Sequence, residues 1–250
     1  MNSWKERIAR LFYPTGATRR VLRGPLRGFR YVVESGMGVS YALGVDTGGV
    51  RFLQQKVTPG MTVYDVGANR GQMCLLFSKW VGPNGCVLTF EPVPRLAAST
   101  ARNVKLNSLT NVCSRALALS DHDGVDSFAF SWNLPTQGKL ADVEATYLVP
   151  GTSIQEVEVA RLDSFVARGQ PPPDLIKIDV EGAAAAVLRG GAEVIENHFP
   201  AIYLELHGPE EQAGVRDELL SRGYLCETLD GSRVEDPTDG WHSPLWCSRD

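Results

Sequence analysis

Residues 61–71 read MTVYDVGANRG, and the fold follows from how this stretch is read. Val63 to Val66, entered by Thr62, is a short apolar strand interrupted by one acid, Asp65. The chain then breaks into Gly67-Ala68-Asn69-Arg70-Gly71 and resumes with Met73, Leu75, Leu76 and Trp80 at helical spacing. The predicted unit is strand, tight turn and helix, which aims the free N–H groups of a helix N-terminus at a ligand. Glycine also occupies such bends in many α/β proteins simply because the chain must turn tightly. Asn69, moreover, stands where a dinucleotide-binding turn would carry its second glycine. A carboxylate at the strand's end suits a ligand with cationic groups and hydroxyls better than one with phosphates.

The next apolar strand, Cys86 to Phe90, ends in Glu91-Pro92. Glu91 follows Gly67 by 24 positions, near the spacing of roughly 20 at which an acid holds a ribose diol in βαβ folds. A carboxylate accepts from both ribose hydroxyls, which explains the residue type; the competing reading is a glutamate that merely ends a strand at the surface. A sulfonium, an amino-acid head group and a ribose without phosphate satisfy both acids. S-adenosylmethionine is therefore the expected cofactor.

Strands and helices alternate through the middle of the chain. After Glu91 a helix is predicted over Arg95–Leu106 and a third strand over 112–119. From 120 to 161 the pattern becomes short alternating segments with turn signals at Asp123-Gly124 and Pro150-Gly151, an antiparallel insertion. Pro171 to Pro173 stiffen the entry to a strand at Leu175–Asp179. A helix over Ala183–Leu188 capped by Gly190-Gly191, a strand over Ile202–Leu206, a helix over Pro209–Arg222 with Gly223 behind it, and late edge strands over 224–229 and 243–247 complete the series. Alternating βα units need crossovers, so the expected core is an α/β, mostly parallel sheet with helices on both faces. Residues 1–60 form a basic extension with helical or strand elements and 61–250 the main domain, the insertion lying within it.

A 250-residue chain can bury a full core in one domain. Its net charge of −4 gives no general reason to expect nucleic acid, but residues 1–30 hold eight Lys and Arg against one acid, Glu6. Such an arm fits an anionic acceptor or peripheral contact with an acidic membrane; equally, it is a solvated terminus. No run is long enough to span a bilayer and no secretory segment is evident. Five cysteines without a C-x-x-C, several in apolar patterns, point to free thiols and a cytoplasmic setting.

The second informative stretch is Leu175 to Gly182, LIKIDVEG. On a strand Ile176 and Ile178 share one face, and Lys177 and Asp179 the other. Charges inside a central strand are costly unless they pair or serve chemistry. Asp65, Glu91, Asp179, Glu205 and His207 all fall where a predicted strand meets its following loop, the place where open α/β sheets bind ligands. Each taken singly is also compatible with a structural ion pair.

VYDVGANRG, FEPVP, ARNVKLN, ALSD, LDSF, LIKIDVEG and YLELH, in this order and spacing over roughly residues 50–210, resemble the FkbM-type S-adenosylmethionine-dependent methyltransferases. The resemblance implies a Rossmann-like class I methyltransferase fold, a seven-stranded, mostly parallel sheet with one antiparallel strand near the C-terminus. It implies that Asp65, Gly67, Ala68, Asn69 and Gly71 line the methionine end of the cofactor, that Glu91 binds its ribose, and that Ala118 and Leu119 lie near its adenine. Asp179, with Lys177 and Glu181, would border the reacting methyl. The chain departs from the family's pattern at Ala183 to Ala186, where acidic and larger residues are usual.

The implied activity is O-methylation of a hydroxyl on a sugar, glycan or secondary metabolite. In-line methyl transfer needs alignment and a base for the hydroxyl proton. Asp179 or His207 is the expected base, Lys177 fixing Asp179 electrostatically and Glu205 sharing the strand face of His207. A divalent metal held by Asp179, Glu205 and His207 ranks below simple base catalysis. An NAD(P)-dependent oxidoreductase is the alternative, although Asp65 would repel a pyrophosphate; a non-catalytic cofactor-binding protein is the other. Tyr41 and Trp132 are candidate stacking surfaces for the acceptor.

Overall fold

The structure, a computed structural model, describes residues 14–33, 48–131, 134–140, 152–235 and 243–249. Tyr41, Trp132, the arm's first 13 residues and most of the Gly-rich segment lie outside the described residues. A hairpin of β1 (Thr18–Arg20) and β2 (Arg30–Val32) comes first, then helix α1 (Gly48–Lys56). The strand–turn–helix unit follows as β3 (Thr62–Val66) and α2 (Gln72–Val81), and the pattern repeats as β4 (Cys86–Phe90) and α3 (Pro94–Leu106). The predicted third strand is two: β5 (Val112–Arg115) stays in the main sheet, whereas β6 (Ala118–Ser120) leaves it. β6 joins β7 (Gly124–Ser131), β8 (Leu134–Leu140) and β9 (Thr152–Arg161) in a four-stranded sheet of order β6-β9-β7-β8. This is the expected insertion, with one correction: β6 and β9 pair in parallel, so it is not antiparallel throughout.

The remaining elements are α4 (Leu162–Ala167), β10 (Leu175–Asp179), α5 (Ala184–Gly190), α6 (Ala192–His198), β11 (Ala201–Glu205), α7 (Pro209–Leu220), β12 (Leu225–Thr228), β13 (Arg233–Val234) and β14 (Leu245–Ser248). Helix α5 ends at Gly190 with Gly191 as its C-cap, as expected, and α6 begins straight after it. A Cβ on Gly190 would lie 1.9 Å from the Ser120 carbonyl oxygen, so glycine is there to let α5 pass close over β6.

The main sheet runs β13-β12-β14-β11-β10-β3-β4-β5. Five neighbouring strands, β5, β4, β3, β10 and β11, are parallel, and β14 inserts antiparallel between β11 and β12. The late strands were expected at an edge; β14 is instead interior, and two-residue β13 adds an eighth strand beyond β12. From β3 the chain moves outward to β4 and β5, then returns to build β10 and β11 on the other side. The crevice above β3 and β10 is therefore the topological switch point, where such sheets bind ligands.

One sheet face is covered by α5, α6 and α7 over Tyr64, Val66, Ile176, Ile178, Ile202 and Leu204, all buried. The opposite face packs on α1 and α2 through Val63, Val87, Leu175 and Tyr203. The hairpin and α1 share this second core: Val21, Leu26, Val50 and Leu53 belong to it, and Phe52 meets the Trp246 ring edge-on at 5.5 Å. Among the described residues no helix is long and apolar enough to cross a membrane.

Candidate active site

The turn after β3 is held by its own backbone and by two side chains of α3. Gly67 and Ala68 N–H both donate to the Phe90 carbonyl, at 3.0 and 3.1 Å, tying the turn to the end of β4. Gly67 has φ +80°, and a Cβ there would lie 2.0 Å from the Asp179 carbonyl oxygen. Both handedness and space thus require glycine where the turn presses on the end of β10. Asn69 is left-handed at φ +51°, a conformation asparagine tolerates better than most residues. Its carbonyl accepts from Thr100 Oγ1 at 2.9 Å, and the Arg70 carbonyl accepts from Asn103 Nδ2 at 3.1 Å. Thr100 had no distinct sequence signal beyond its place on a predicted helix, whereas Asn103 belongs to the ARNVKLN stretch that resembles the family.

Glu91 meets the same turn from β4. Its Oε2 accepts from Asn69 N–H at 2.9 Å and its Oε1 from Val93 N–H at 3.0 Å. It is buried, and burial pushes its carboxyl up to about 7 against the pull of those two N–H groups. Each oxygen keeps lone pairs beyond the bond it accepts, so the group remains available to a diol. Ala118 and Leu119 lie in β6, both buried, Leu119 within the α5–α7 core and Ala118 in the small core under the second sheet.

Beside the turn the parallel register aligns Asp65 with Lys177 and Lys177 with Tyr203, and two residues further on Asp179 with Glu205. Side chains from three strands therefore converge on one face. Lys177 Nζ is 3.3 Å from Asp65 Oδ1 and 3.1 Å from Asp179 Oδ2. His207 Nε2 lies 3.0 Å from Asp179 Oδ1, and its Nδ1 is 3.7 Å from Glu181 Oε2. The chain of charges runs from full burial to solvent: side-chain exposure is 0% at Asp65, 4% at Lys177, 33% at Asp179 and 29% at His207.

Position along this chain sets each group's protonation. Burial raises Asp65, and Lys177 only partly opposes it. Burial alone would lower Lys177, but Asp179 and Asp65 hold it well above an ordinary lysine. Burial would also raise Asp179, yet the Lys177 ammonium and the His207 hydrogen bond keep it well below the usual carboxylate range. His207 is raised, first by its hydrogen bond to Asp179 and further by the Glu181 charge. Glu205 is raised by burial and by neighbouring Asp179. The result is a carboxylate that keeps its charge and an imidazole made more basic by it.

Sequence reading missed Glu211. Its carboxylate is buried and accepts from Ala184 N–H at 3.0 Å and His207 N–H at 2.8 Å. It thus ties the loop after β10 to the loop after β11, the two that carry Glu181 and His207. The signal was present: an acid at the third position of a helix opened by Gly208-Pro209 is where a side chain reaches back to N-terminal N–H groups. Ser243 Oγ, accepting from Leu206 N–H at 2.9 Å, had no such signal. Among the described residues no three His, Cys, Asp or Glu side chains are grouped to hold a metal ion.

This sheet order with one inserted antiparallel strand, and a glycine turn at its switch point, define a Rossmann-like class I methyltransferase fold. Solved structures agree at the level of the fold. A methyltransferase FkbM from Methylobacillus flagellatus superposes with a TM-score of 0.50 at 16% identity, over 75% of this chain and 43% of that one. An O-methyltransferase from Bacillus cereus, solved with SAH, gives 0.50 at 13% identity over 82% of each.

The methyltransferase FkbM domain matches residues 65–226, and the chain belongs to that family. Similar proteins include Methyltransferase 1 of Beauveria bassiana, 30% identical over 51% of this chain and 57% of its own length. Methyltransferase sdnD of Sordaria araneosa is 28% identical over 63% and 69%, and 2-O-methyltransferase NoeI of Sinorhizobium fredii 30% identical over 55% and 60%. The chain thus spans somewhat over half of the first of these relatives.

Proposed function

We propose that the chain is an S-adenosylmethionine-dependent methyltransferase acting on a hydroxyl of a sugar, glycan or secondary metabolite. The observation that carries this reading is the Lys177–Asp179–His207 chain at the strand ends, abutting the glycine turn that a cofactor would occupy. The residues fit that cofactor. Glu91 would give its carboxylate to a ribose diol, the Gly67–Gly71 turn would meet an amino-acid head group with its backbone, and the buried Asp65 supplies negative charge behind the turn. None of these favours a pyrophosphate.

Bound there, the cofactor supplies a methyl already activated by its sulfonium. The protein's part is to orient the acceptor hydroxyl and take its proton. His207 is the base: it is partly open to solvent, raised in basicity, and fixed in orientation by Asp179. Asp179, held ionised by Lys177, is too weak a base for that task and instead stabilises the imidazolium formed. His207 is thus our choice between the two candidates that the residue types alone left. Glu181, 3.7 Å from His207 Nδ1, adds a second negative charge to the same end. O-methylation is also the chemistry in the names of the Sinorhizobium relative and the Bacillus structure. Five unpaired cysteines accord with a reducing cytoplasm.

Incubating the protein with cell extract and S-adenosylmethionine carrying an isotopically labelled methyl, then searching for the label by mass spectrometry, tests the reading. A labelled methyl ether that disappears with His207→Ala is expected. Calorimetry that finds NADH bound and S-adenosylmethionine not bound would reverse it in favour of the oxidoreductase.

A further inference from the structure

The hairpin ahead of the main domain is fastened to α3. Val32 N–H donates to Asn103 Oδ1 at 3.0 Å, Arg30 N–H donates to Asn107 Oδ1 at 2.7 Å, and Asn107 Nδ2 returns a bond to the Arg30 carbonyl at 2.6 Å. Val21 and Leu26, 2% and 3% exposed, anchor its tip in the core. This fixed element carries Arg19, Arg20, Arg23, Arg27 and Arg30, and no acid occurs anywhere in residues 14–33. Helix α3 likewise has no acid; its Arg95 and Arg102 are exposed and two turns apart, on the flank next to Asn103. The chain as a whole is negative, at −4, so this acid-free hairpin and the part of α3 beside it are locally basic against the overall sign.

Two details go beyond a solvated charge run. Arg20 and Arg30 are direct cross-strand partners, and like charges placed opposite each other destabilise a hairpin unless an anion lies between them. Leu22, set between Arg20 and Arg23, is 57% exposed although both apolar residues nearest it in the tip are buried. We propose that this face docks the protein on an anionic lipid surface, the arginines meeting headgroup phosphates and Leu22 entering the headgroup–acyl boundary. A charge array interrupted by a protruding apolar side chain fits a bilayer interface. A nucleic acid or a soluble phosphate would engage the arginines and leave Leu22 in water.

Sedimentation of the full chain with phosphatidylcholine vesicles, with and without phosphatidylglycerol, tests this. The protein should pellet only with phosphatidylglycerol present, and less as salt rises. Arg20→Glu combined with Arg30→Glu should weaken binding by on the order of tenfold or more. Leu22→Ser, at unchanged charge and at an exposed position, should weaken it several-fold, with thermal unfolding followed by circular dichroism confirming that both variants fold. Equal pelleting with both vesicle types, or undiminished binding by the folded arginine variant, overturns the proposal. So does binding of a short single-stranded oligonucleotide as tight as that of the vesicles and insensitive to Leu22→Ser, which would assign the face to nucleic acid.

Discussion

The same strands of the main sheet present two very different faces. Toward α5, α6 and α7 they offer Tyr64, Val66, Ile176, Ile178, Ile202 and Leu204, with no charge and a single polar atom, the Tyr64 hydroxyl, which donates to the Pro171 carbonyl. Toward α1 and α2 they begin the same way, with Val63, Leu175 and Tyr203, and then turn ionic with Asp65, Lys177, Asp179 and Glu205. Strand alternation makes the two faces independent: one residue in two can be given to chemistry while its neighbours keep the sheet packed. The apolar face is built for rigidity, and the ionic end of the other face draws on that rigidity to keep buried charges within 3.3 Å of each other.

The sharpest way to break this comparison is at Lys177, among the described residues the one cation that touches both Asp65 and Asp179. Lys177→Met should cost about 3–5 kcal/mol of stability, the usual penalty for stranding a buried charge, and should abolish turnover. Urea unfolding measures it. Asp65→Asn in the Lys177→Met background should recover part of the stability and none of the activity. If Lys177→Met unfolds at the same urea concentration as wild type, the ionic ladder is not what holds this end of the face.

His207 comes next. His207→Ala should lower turnover by about 10²- to 10⁴-fold, the span of a lost general base, with unfolding nearly unchanged because the ring is partly exposed. The sign with pH follows from its raised basicity. The neutral, proton-accepting form prevails only above its folded pKa, so kcat/KM should climb with pH through a midpoint above the ordinary histidine value of about 6.5. Asp179→Asn removes the carboxylate responsible, and its midpoint should fall back toward that ordinary value while the plateau drops. A rate that declines as pH rises through this region would exclude His207 as base.

How far this was legible in the sequence depended on distance along the chain. The turn at Gly67–Gly71 and the alternation of LIKIDVEG are local patterns, and each fixed an element and a face directly. That Lys177 would lie between Asp65 and Asp179 needed the pairing of strands 112 positions apart, which no local pattern encodes. The departure of β6 from the main sheet was hidden for the same reason: residues 112–119, despite Ser114 and Arg115, are apolar enough for one strand, and only the partner β9 decides where it breaks. Helices α4 and α6, of six and seven residues, are too short for periodicity to declare. Gly191 was legible as a cap from composition, whereas the close passage over β6 that requires Gly190 is a tertiary fact.

Glu211 sharpens the comparison between loop and strand. Glu211→Gln keeps the shape but places an amide NH₂ against one of two backbone N–H donors, Ala184 or His207, leaving one without an acceptor. The expected cost is about 1–3 kcal/mol. Since the two loops are tied through this side chain, kcat should fall with it while cofactor affinity, set by the Gly67 turn, stays near wild type. A loss of cofactor binding equal to the loss in kcat would mean that the tether acts on the whole crevice.

The apolar face should give the smallest response, and it supplies the reference for all the others. Ile178 is fully buried between Lys177 and Asp179, its side chain directed to the opposite side of the sheet. Ile178→Val removes one methylene there and should cost about 0.5–1.5 kcal/mol. Because the backbone hydrogen bonds of β10 to β3 and β11 do not depend on that methylene, the ionic register should survive, and the pH midpoint of kcat/KM should remain where wild type has it. A midpoint displaced by Ile178→Val would show that packing on one face is transmitted through the strand to the protonation of the other, and the independence inferred from alternation would then hold for sequence pattern but not for energetics.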